Sequence, residues 1–268
     1  MFKKGLYLFL VIALSVMLSP VLGCAAPSGD EAQTKAAVEK IRVATQAELD
    51  KLDADVADAA LKLKSTGLSG DGATQILEGL CARYPYLVDC STVDTSGKVV
   101  TMAPDAYRRY EGANIETQDV KSPVLSPYMM TTEGISAVSL MRPVLDQEGK
   151  QIGIIDALFT PEALLTGTVA PVLKETGLAM NVLQTDGITI YDLPKSDTGK
   201  NLLTDAEYKP YTDLVALGSR FVSEESGSGT YSFPSHETAQ PTKKLAVWAS
   251  IKLHGTAWRM IAVQEAIK

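Results

Sequence analysis

Two apolar segments joined by a short polar loop constrain the fold of this chain more than any other feature. Residues 135–145 and 151–159 are rich in Ile, Val, Leu and Ala, and the sequence Asp-Gln-Glu-Gly at 146–149 separates them. Apolar strand-forming runs around a polar loop that ends in Gly are typical of an antiparallel hairpin. Thr160 and Pro161 follow as an N-cap residue and a first helical residue, so a helix is predicted to begin there.

Asp156 is the residue that does not fit the second of these strands. By the two-residue period of a strand it lies among apolar side chains, where a carboxylate is costly unless something pairs with it. A four-residue loop pairs Leu145 with Lys150, which places Asp156 opposite Ser139 with Met141 beside it on the same face. This acid has no obvious local partner, and the pattern therefore predicts a ligand pocket around it.

The N-terminal segment predicts export. Lys3 and Lys4 precede an apolar run at 6–18, so residues 1–23 are predicted to be a signal peptide. The sequence Val-Leu-Gly-Cys that ends at Cys24 resembles a lipoprotein processing box, in which that Cys is lipidated and becomes the new N-terminus. The alternatives are an uncleaved anchor helix or ordinary signal cleavage. We expect a lipid-anchored protein on the extracytoplasmic face of the cell membrane.

Charge and cysteine content exclude several classes of function. The net charge is −7, and removing residues 1–23 removes two Lys and no acid, which leaves −9. Without a basic run we expect no nucleic-acid partner, and without a Cys/His cluster we expect no metal site; no cofactor is predicted either. Cys81 and Cys90 are candidates for a disulfide in an exported chain, and two buried free thiols are the alternative.

A long amphipathic helix is predicted at 31–66. This stretch contains no Pro or Gly before position 67, and its apolar residues recur at steps of three or four apart from a polar gap at Thr45 and Glu48. At 1.5 Å per residue the helix spans on the order of 50 Å. That length exceeds one small module, so the helix is predicted to run along two. A second helix is predicted at 72–84.

The rest of the chain repeats one pattern. Strands are predicted at 86–93 and 98–102 around a turn, and again at 179–184 and 188–191 around Thr-Asp-Gly. A short helix at 105–110 and a helical turn at 115–120 complete the first half. The second half adds a helix at 208–217, a strand at 227–233, and a hairpin of 244–252 with 257–264. The predicted organisation is a signal peptide at 1–23, a linker at 24–30, a stalk helix at 31–66, a membrane-distal module at 67–165 and a membrane-proximal module at 166–268.

Residues 31–266 resemble a double Cache domain, the extracellular sensor module related to PAS domains. The resemblance is carried by DTSGKVV at 94–100, PDAYRRYEGANIETQ at 104–118, SPVLSPYM at 122–129, EGISAVSLMRPVLDQEGKQIGIIDALF at 133–159 and PEALL at 161–165. It implies an α+β fold in which a long N-terminal helix precedes two PAS-like modules, each an antiparallel sheet flanked by helices. It also implies a ligand in the distal module, while the proximal module of such proteins is often free of ligand.

The amino-acid-binding subgroup of this family suggests particular ligand contacts. Its later pocket Tyr matches Tyr128 and its Asp on the last strand matches Asp156, but its Arg-x-Trp-Tyr segment has no counterpart here. Arg108 and Arg109 are candidates to hold a carboxylate by two hydrogen bonds, with Tyr110 beside them. We therefore expect an amino acid, an amine or a small carboxylate as the ligand.

These observations predict a membrane-anchored small-molecule sensor that is not an enzyme. The sequence contains no kinase or methyl-accepting coiled coil, so the protein is expected either to act alone as a binder or to pass its signal to a separate transmembrane partner. One alternative is a structural or accessory surface lipoprotein without a specific ligand. The other is an exported hydrolase, but no Gly-x-Ser-x-Gly occurs, and His236 and His254 fall in loop-like stretches.

Overall fold

The structure is a computed structural model that describes residues 29–115, 120–193, 196–234 and 240–265. The predicted signal peptide, the predicted lipidation site Cys24, and His236 lie outside these ranges, as does most of the helical turn predicted at 115–120. Within the described ranges, no helix combines the length and the apolar character that a membrane crossing requires.

One helix, α1 (Gly29–Thr66), runs along the whole molecule and confirms the predicted long helix. It contacts the distal sheet and the proximal sheet. Its largest buried side chains are at most 1% exposed: Val38, Ile41, Leu49, Leu52, Val56 and Leu63. Thr45, in the polar gap between these apolar residues, is also buried, and its hydroxyl forms a hydrogen bond of 2.9 Å with the hydroxyl of Thr168. The helix ends at Gly67, whose positive φ of 80° suits a residue without a Cβ.

The distal module is an antiparallel sheet that carries a helix on each side. Its strands are ordered β2-β1-β6-β5-β3, and the short β4 pairs with the beginning of β5. The predicted strand pairs and short helix are present. The elements are α2 (Asp71–Arg83), β1 (Leu87–Asp94), β2 (Val99–Ala103), a 3-10 helix (Asp105–Tyr110), β3 (Val124–Leu125), β4 (Met129–Met130), β5 (Ser136–Leu145) and β6 (Gln151–Phe159).

The proximal module repeats this connectivity. Its sheet has the order β8-β7-β11-β10-β9, so each module has a hairpin on one side of its last strand and the preceding long strand on the other. The α+β fold of two related modules behind a long helix is thereby confirmed. The elements are α3 (Pro161–Thr176), β7 (Ala179–Gln184), β8 (Thr189–Asp192), α4 (Thr212–Ser223), β9 (Gly227–Pro234), β10 (Pro241–Leu253) and β11 (Thr256–Glu265).

The register of the β5–β6 hairpin differs from the prediction. The loop spans residues 146–150, one residue longer than expected, and a bulge beside Leu145 shifts the pairing by one residue more. Asp156 therefore pairs with Met141, and not with Ser139. Because the total shift is two residues, Asp156 stays on the predicted face, which also carries Ser139.

The helix predicted at 208–217 is displaced. α4 begins at Thr212, because Pro210 disfavours the helical conformation of the residue before it and the chain turns there instead. The amide of Tyr211 donates to the carbonyl of Tyr208 at 2.9 Å in this turn. The buried face of α4 consists of Leu214, Leu217, Gly218 and Phe221.

The two faces of the distal sheet serve different purposes. One face packs against α1 through fully buried side chains such as Leu140, Ile155 and Phe159. The opposite face holds a smaller apolar cluster that includes Met102 and Ile154 and is covered in part by Tyr107 and Tyr110 of the 3-10 helix. Asp156 lies on this second face, away from α1.

The cysteine pair joins α2 to β1. The Sγ atoms of Cys81 and Cys90 lie 2.7 Å apart as free thiols. Burial, together with the Cys81 thiol, raises the pKa of Cys90 well above its ordinary value, which disfavours its reactive thiolate form. This proximity keeps both predicted alternatives, a disulfide and two thiols, open to experiment.

We predict that oxidation closes a Cys81–Cys90 disulfide. Because the closed loop is short, the free energy of unfolding should rise by about 2–3 kcal/mol. Peptide mapping of the non-reduced chain identifies the bond, and urea unfolding with and without reductant measures its effect. Cys81→Ser is the control and should show no response to reductant. Alkylation of both thiols in the non-reduced, oxidant-treated chain would contradict the prediction.

Candidate functional site

Two buried carboxylates lie on the face of the distal sheet that α1 does not cover. Asp156 of β6 pairs with Ser91 of β1, and Asp89 lies two residues before Ser91 on the same face. The residues Asp89 and Asp156 are 1% and 7% exposed. The strand order β1-β6 therefore brings together two acids that are 67 residues apart in the sequence (156 minus 89). We call them the acid pair.

The acid pair lacks the hydrogen-bond donors that a buried carboxylate needs. The Ser139 hydroxyl donates to Oδ2 of Asp156 at 3.2 Å. Oδ1 of Asp156 and Oδ2 of Asp89 are buried and accept no hydrogen bond. A buried acceptor without a donor costs about 1–3 kcal/mol, and more when it is charged. The fold therefore maintains the acid pair at a cost to its own stability.

Burial and nearby negative charges raise the pKa of both acids, so they hold their protons to a higher pH than ordinary Asp residues do. Burial, then the charges of Asp156 and Glu133, raise the pKa of Asp89 to about 9. Burial also raises the pKa of Asp156 to about 7; the Ser139 hydrogen bond opposes this rise and Glu133 adds to it. Two neighbouring carboxylates in a dry site cannot both ionise cheaply at neutral pH. A bound cation would therefore favour the ionised form of these acids and displace their protons.

The loop between β4 and β5 adds polar groups near the acid pair. Its turn is closed by a 2.8 Å hydrogen bond from the Thr131 amide to the Ile135 carbonyl. The Thr131 hydroxyl is buried without a hydrogen-bond partner, and the Glu133 carboxylate is close enough to raise the pKa of both acids. Hydroxyl and carboxylate oxygens therefore dominate this end of the site.

Several predicted site residues lie on the same face as the acid pair. Ser139 contacts Asp156 directly, and Met141 is its partner in the β-ladder. Met141 and Tyr110 both pack against the apolar cluster on this face. These residues form a mixed apolar and hydroxyl surface next to the carboxylates, which suits an organic ligand with a charged head.

The structure places Arg108 and Arg109 at the surface, turned toward other partners. Nε of Arg108 donates to Oε1 of Glu111 at 3.1 Å, and Arg108 is 45% exposed at its side chain. Nη2 of Arg109 donates to the hydroxyl of Tyr110 at 3.3 Å, and its guanidinium stacks over that ring. Neither guanidinium bonds to the acid pair, so a ligand carboxylate would require one of them to turn inward.

Tyr128 lies at the junction of the two modules. Its half-buried side chain packs against the large core that α1 shares with both sheets. Its amide donates to Oε1 of Gln184, on β7 of the proximal module, at 2.8 Å. No hydrogen bond joins Tyr128 to Asp156 within the described residues.

Asp89 is the site residue that sequence reasoning missed. It stands in the middle of a predicted strand, two residues from Ser91, and a two-residue period alone would have flagged it as a buried acid. Its importance depends on β1 lying beside β6, which is a non-local pairing that no local pattern encodes.

Comparison with known proteins agrees with this fold. Residues 47–161 match the family model described as the HK/GC/chemotaxis protein-like sensor domain. An extracellular ligand-binding receptor from Desulfohalobium retbaense is 30% identical with a TM-score of 0.69; the match covers 86% of this chain and 39% of that receptor. The chain thus spans about two fifths of the receptor's length. A search of curated proteins found no match.

More distant solved structures share the fold. The periplasmic sensory domain of a Campylobacter jejuni chemoreceptor is 16% identical, with a TM-score of 0.59 over 87% of this chain and 93% of that domain. The ligand-binding domain of the Pseudomonas fluorescens chemoreceptor CtaA, solved with L-serine, is 14% identical, with a TM-score of 0.58 over 86% and 92%. The chain therefore has the double Cache fold of these sensory domains, and residues 47–161 are similar to the sensor-domain family. The matched family model is that of a sensor domain, and the receptor from Desulfohalobium retbaense is described as ligand-binding.

The role of the acid pair can be tested through the pH dependence of folding stability. In the unfolded chain an Asp ionises near pH 4, whereas Asp156 and Asp89 ionise near 7 and 9 in the folded chain. From pH 4 upward the folded state holds protons that the unfolded state has lost, so stability falls by about 1.4 kcal/mol per pH unit for each proton. The fall from Asp156 ends near pH 7 and that from Asp89 near pH 9.

We predict that Asp89→Asn makes the chain more stable than wild type at pH 8 and flattens the decline between pH 5 and 8. Asn keeps the shape of Asp89 and carries no charge to desolvate. Urea unfolding at the two pH values measures the effect. Asp105→Asn, at a side chain 85% exposed, is the matched control and should leave the pH slope unchanged. A variant less stable than wild type at pH 8 would identify Asp89 as a structural acid.

Proposed function

We propose that this protein is an extracytoplasmic sensor that binds a small molecule through an ammonium group held by the acid pair in the distal module. The observation that carries the proposal is the presence of two buried carboxylate oxygens, on Asp89 and Asp156, without hydrogen-bond donors. The double Cache fold and the match to the sensor-domain family support the same function.

An ammonium group supplies what the acid pair lacks. It carries three N–H donors and a positive charge on one atom, so it can donate to an oxygen of each acid at once. Binding would favour the ionised form of both acids and release protons to solvent. The hydroxyl of Ser139, which contacts Asp156, can accept or donate a further hydrogen bond to the ligand.

Among the expected ligand classes, the charges of the site favour amines and amino acids over simple carboxylates. The acid pair and Glu133 repel an anion, and no guanidinium is bonded there. CtaA was solved with L-serine and other amino acids, and another chemoreceptor domain, from Pseudomonas aeruginosa, with L-Arg. Those ligands share an α-ammonium group with simple amines, which is the feature that the acid pair would recognise here.

The remaining parts of the proposal concern location and output. The export signal at 1–23 and the processing box at Cys24 support a lipid anchor on the outer face of the cell membrane. We propose that the protein has no catalytic activity of its own and that ligand binding draws the 3-10 helix (Asp105–Tyr110) toward the sheet. The change would reach α1 and then a separate membrane partner.

We predict that ethanolamine, putrescine or an L-amino acid raises the melting temperature of the full chain, whereas acetate does not. Affinity should increase with pH as the acids ionise, and below about pH 7 it should fall about tenfold per pH unit for each proton released. Titration calorimetry at pH 6 and 8, in buffers with different heats of ionisation, measures affinity and the number of protons released.

Asp156→Asn should weaken ammonium binding about 100-fold or more, because it removes a buried charge from the contact with a cation. Asp58→Asn, on α1 at a side chain that is 55% exposed, is the matched control and should bind like wild type. Equal affinity of wild type and Asp156→Asn for the ammonium ligand would sink the proposal. A response to acetate alone would do the same.

A further inference from the structure

The proximal module contains a cavity of its own. It measures about 700 Å³ and lies between the sheet face that α1 leaves uncovered and the helix α4. Ligand pockets in proteins typically measure about 300–1,000 Å³. The cavity is therefore large enough for a small organic molecule, and it does not include any residue of the acid pair.

The position of the cavity repeats the position of the distal site. Ile261 is the sixth residue of β11, as Asp156 is the sixth residue of β6. Ile261 pairs with Asn181 on one neighbouring strand and with Trp248 on the other, in the same way that Asp156 pairs with Ser91 and Met141. Ile261 lines the cavity, so the cavity lies on the sheet face of the proximal module that corresponds to the face of Asp156 in the distal module.

The walls of the cavity are aromatic and aliphatic. Phe221 and Leu214 come from α4, Tyr231 and Phe233 from β9, and Tyr208 from the turn before α4. Phe233 already stacks edge-on with Tyr211, at 4.6 Å between ring centroids, which holds its ring in place. Fixed aromatic walls favour a flat aromatic ligand, because offset and edge-to-face ring contacts add to the burial of apolar area.

The floor of the cavity is polar, and its carboxylates already accept hydrogen bonds from neighbouring side chains. Nδ2 of Asn181 donates to Oδ1 of Asp192 at 2.7 Å, and the Ser196 hydroxyl donates to Oδ2 of the same carboxylate at 3.2 Å. Nζ of Lys200 donates to Asp197 at 3.2 Å. In contrast to the acid pair, these carboxylates have donors, so a cation would gain little by entering.

One acceptor remains available on this floor. The Asn181 amide uses its nitrogen on Asp192, which leaves its oxygen to accept a hydrogen bond from a molecule in the cavity. Thr189 contributes a hydroxyl to the same floor. From the aromatic walls, the satisfied charges and this acceptor, we propose that the proximal module is a second small-molecule site, for a neutral aromatic molecule that carries a hydrogen-bond donor.

The test uses indole and p-cresol as probes, because both are neutral, aromatic and carry one donor. Isothermal titration with the full chain measures their affinity for wild type and variants. Val263→Phe fills the cavity from β11, where its partners in the ladder, Ala179 and Ala246, leave room for a ring. Ala179→Trp covers the cavity from an exposed position and serves where Val263→Phe fails to fold.

Two controls separate this site from the distal one. Asp156→Asn disables the acid pair without touching the cavity. Val43→Phe makes the same change as Val263→Phe at a residue of α1 that is 52% exposed. We expect wild type and both controls to bind at least one probe with the same affinity, and the two cavity variants to bind it about tenfold or more weakly.

Three results would overturn the proposal. The first is that neither probe binds wild type. The second is that binding disappears in Asp156→Asn and persists in the cavity variants, which would place the probe in the distal module. The third is that both folded cavity variants bind as tightly as wild type.

Discussion

The packing of one helix against two sheets is the constraint on which the rest of this structure depends. The buried stripe of α1 completes the core of both modules, and Asp53 stands in the middle of that helix. Nη2 of Arg142, from the distal sheet, lies 2.6 Å from Asp53, and Nε2 of His254, from the proximal hairpin, lies 2.7 Å from it. Burial opposes the charge of Asp53, but the hydrogen bonds from Arg142 and His254 outweigh burial and hold its pKa below the usual value. A partly buried acid that ties both modules to one helix resists independent movement of either, because separating it from one partner leaves a charge poorly compensated.

This arrangement decides where each module can hold a ligand. Since α1 covers one face of each sheet, the opposite face is the surface left for recognition. In β5 the two roles meet in adjacent residues: Met141 pairs with Asp156 on the ligand side, and Arg142 contacts Asp53 on the α1 side. A ligand that moves β5 at the acid pair therefore acts within one residue of the contact to α1, which gives the proposed signal a short physical route.

Local sequence patterns predicted most of the elements, whereas the details of the site depend on non-local pairing. The spacing of apolar residues predicted α1, and the two-residue period identified Asp156 as an acid on a buried strand. Asp89 was missed because it comes close to Asp156 only through the non-local pairing of β1 with β6. The register at Met141 was mispredicted because a bulge leaves no clear mark in the sequence. The contacts of Arg108 and Arg109 could not be predicted either. The sequence places both residues on a helix, but it does not say which of the nearby acids and rings each side chain contacts.

The other buried charges of this protein explain why the acid pair points to a ligand. Among the described residues, Asp192 is 5% exposed and accepts from Asn181 and Ser196. Arg259 is also 5% exposed and donates to the carbonyls of Phe221 and Val222 at 2.7 and 3.2 Å. The fold thus supplies at least two hydrogen bonds to each of these charges, although Nη1 of Arg259 is buried without a partner. The acid pair is treated differently: Ser139 supplies a single hydrogen bond to Asp156, and one oxygen of each acid has no donor. Replacing such acids by uncharged residues would cost the fold at most the hydrogen bond from Ser139. This contrast supports the proposal that a ligand supplies the missing donors.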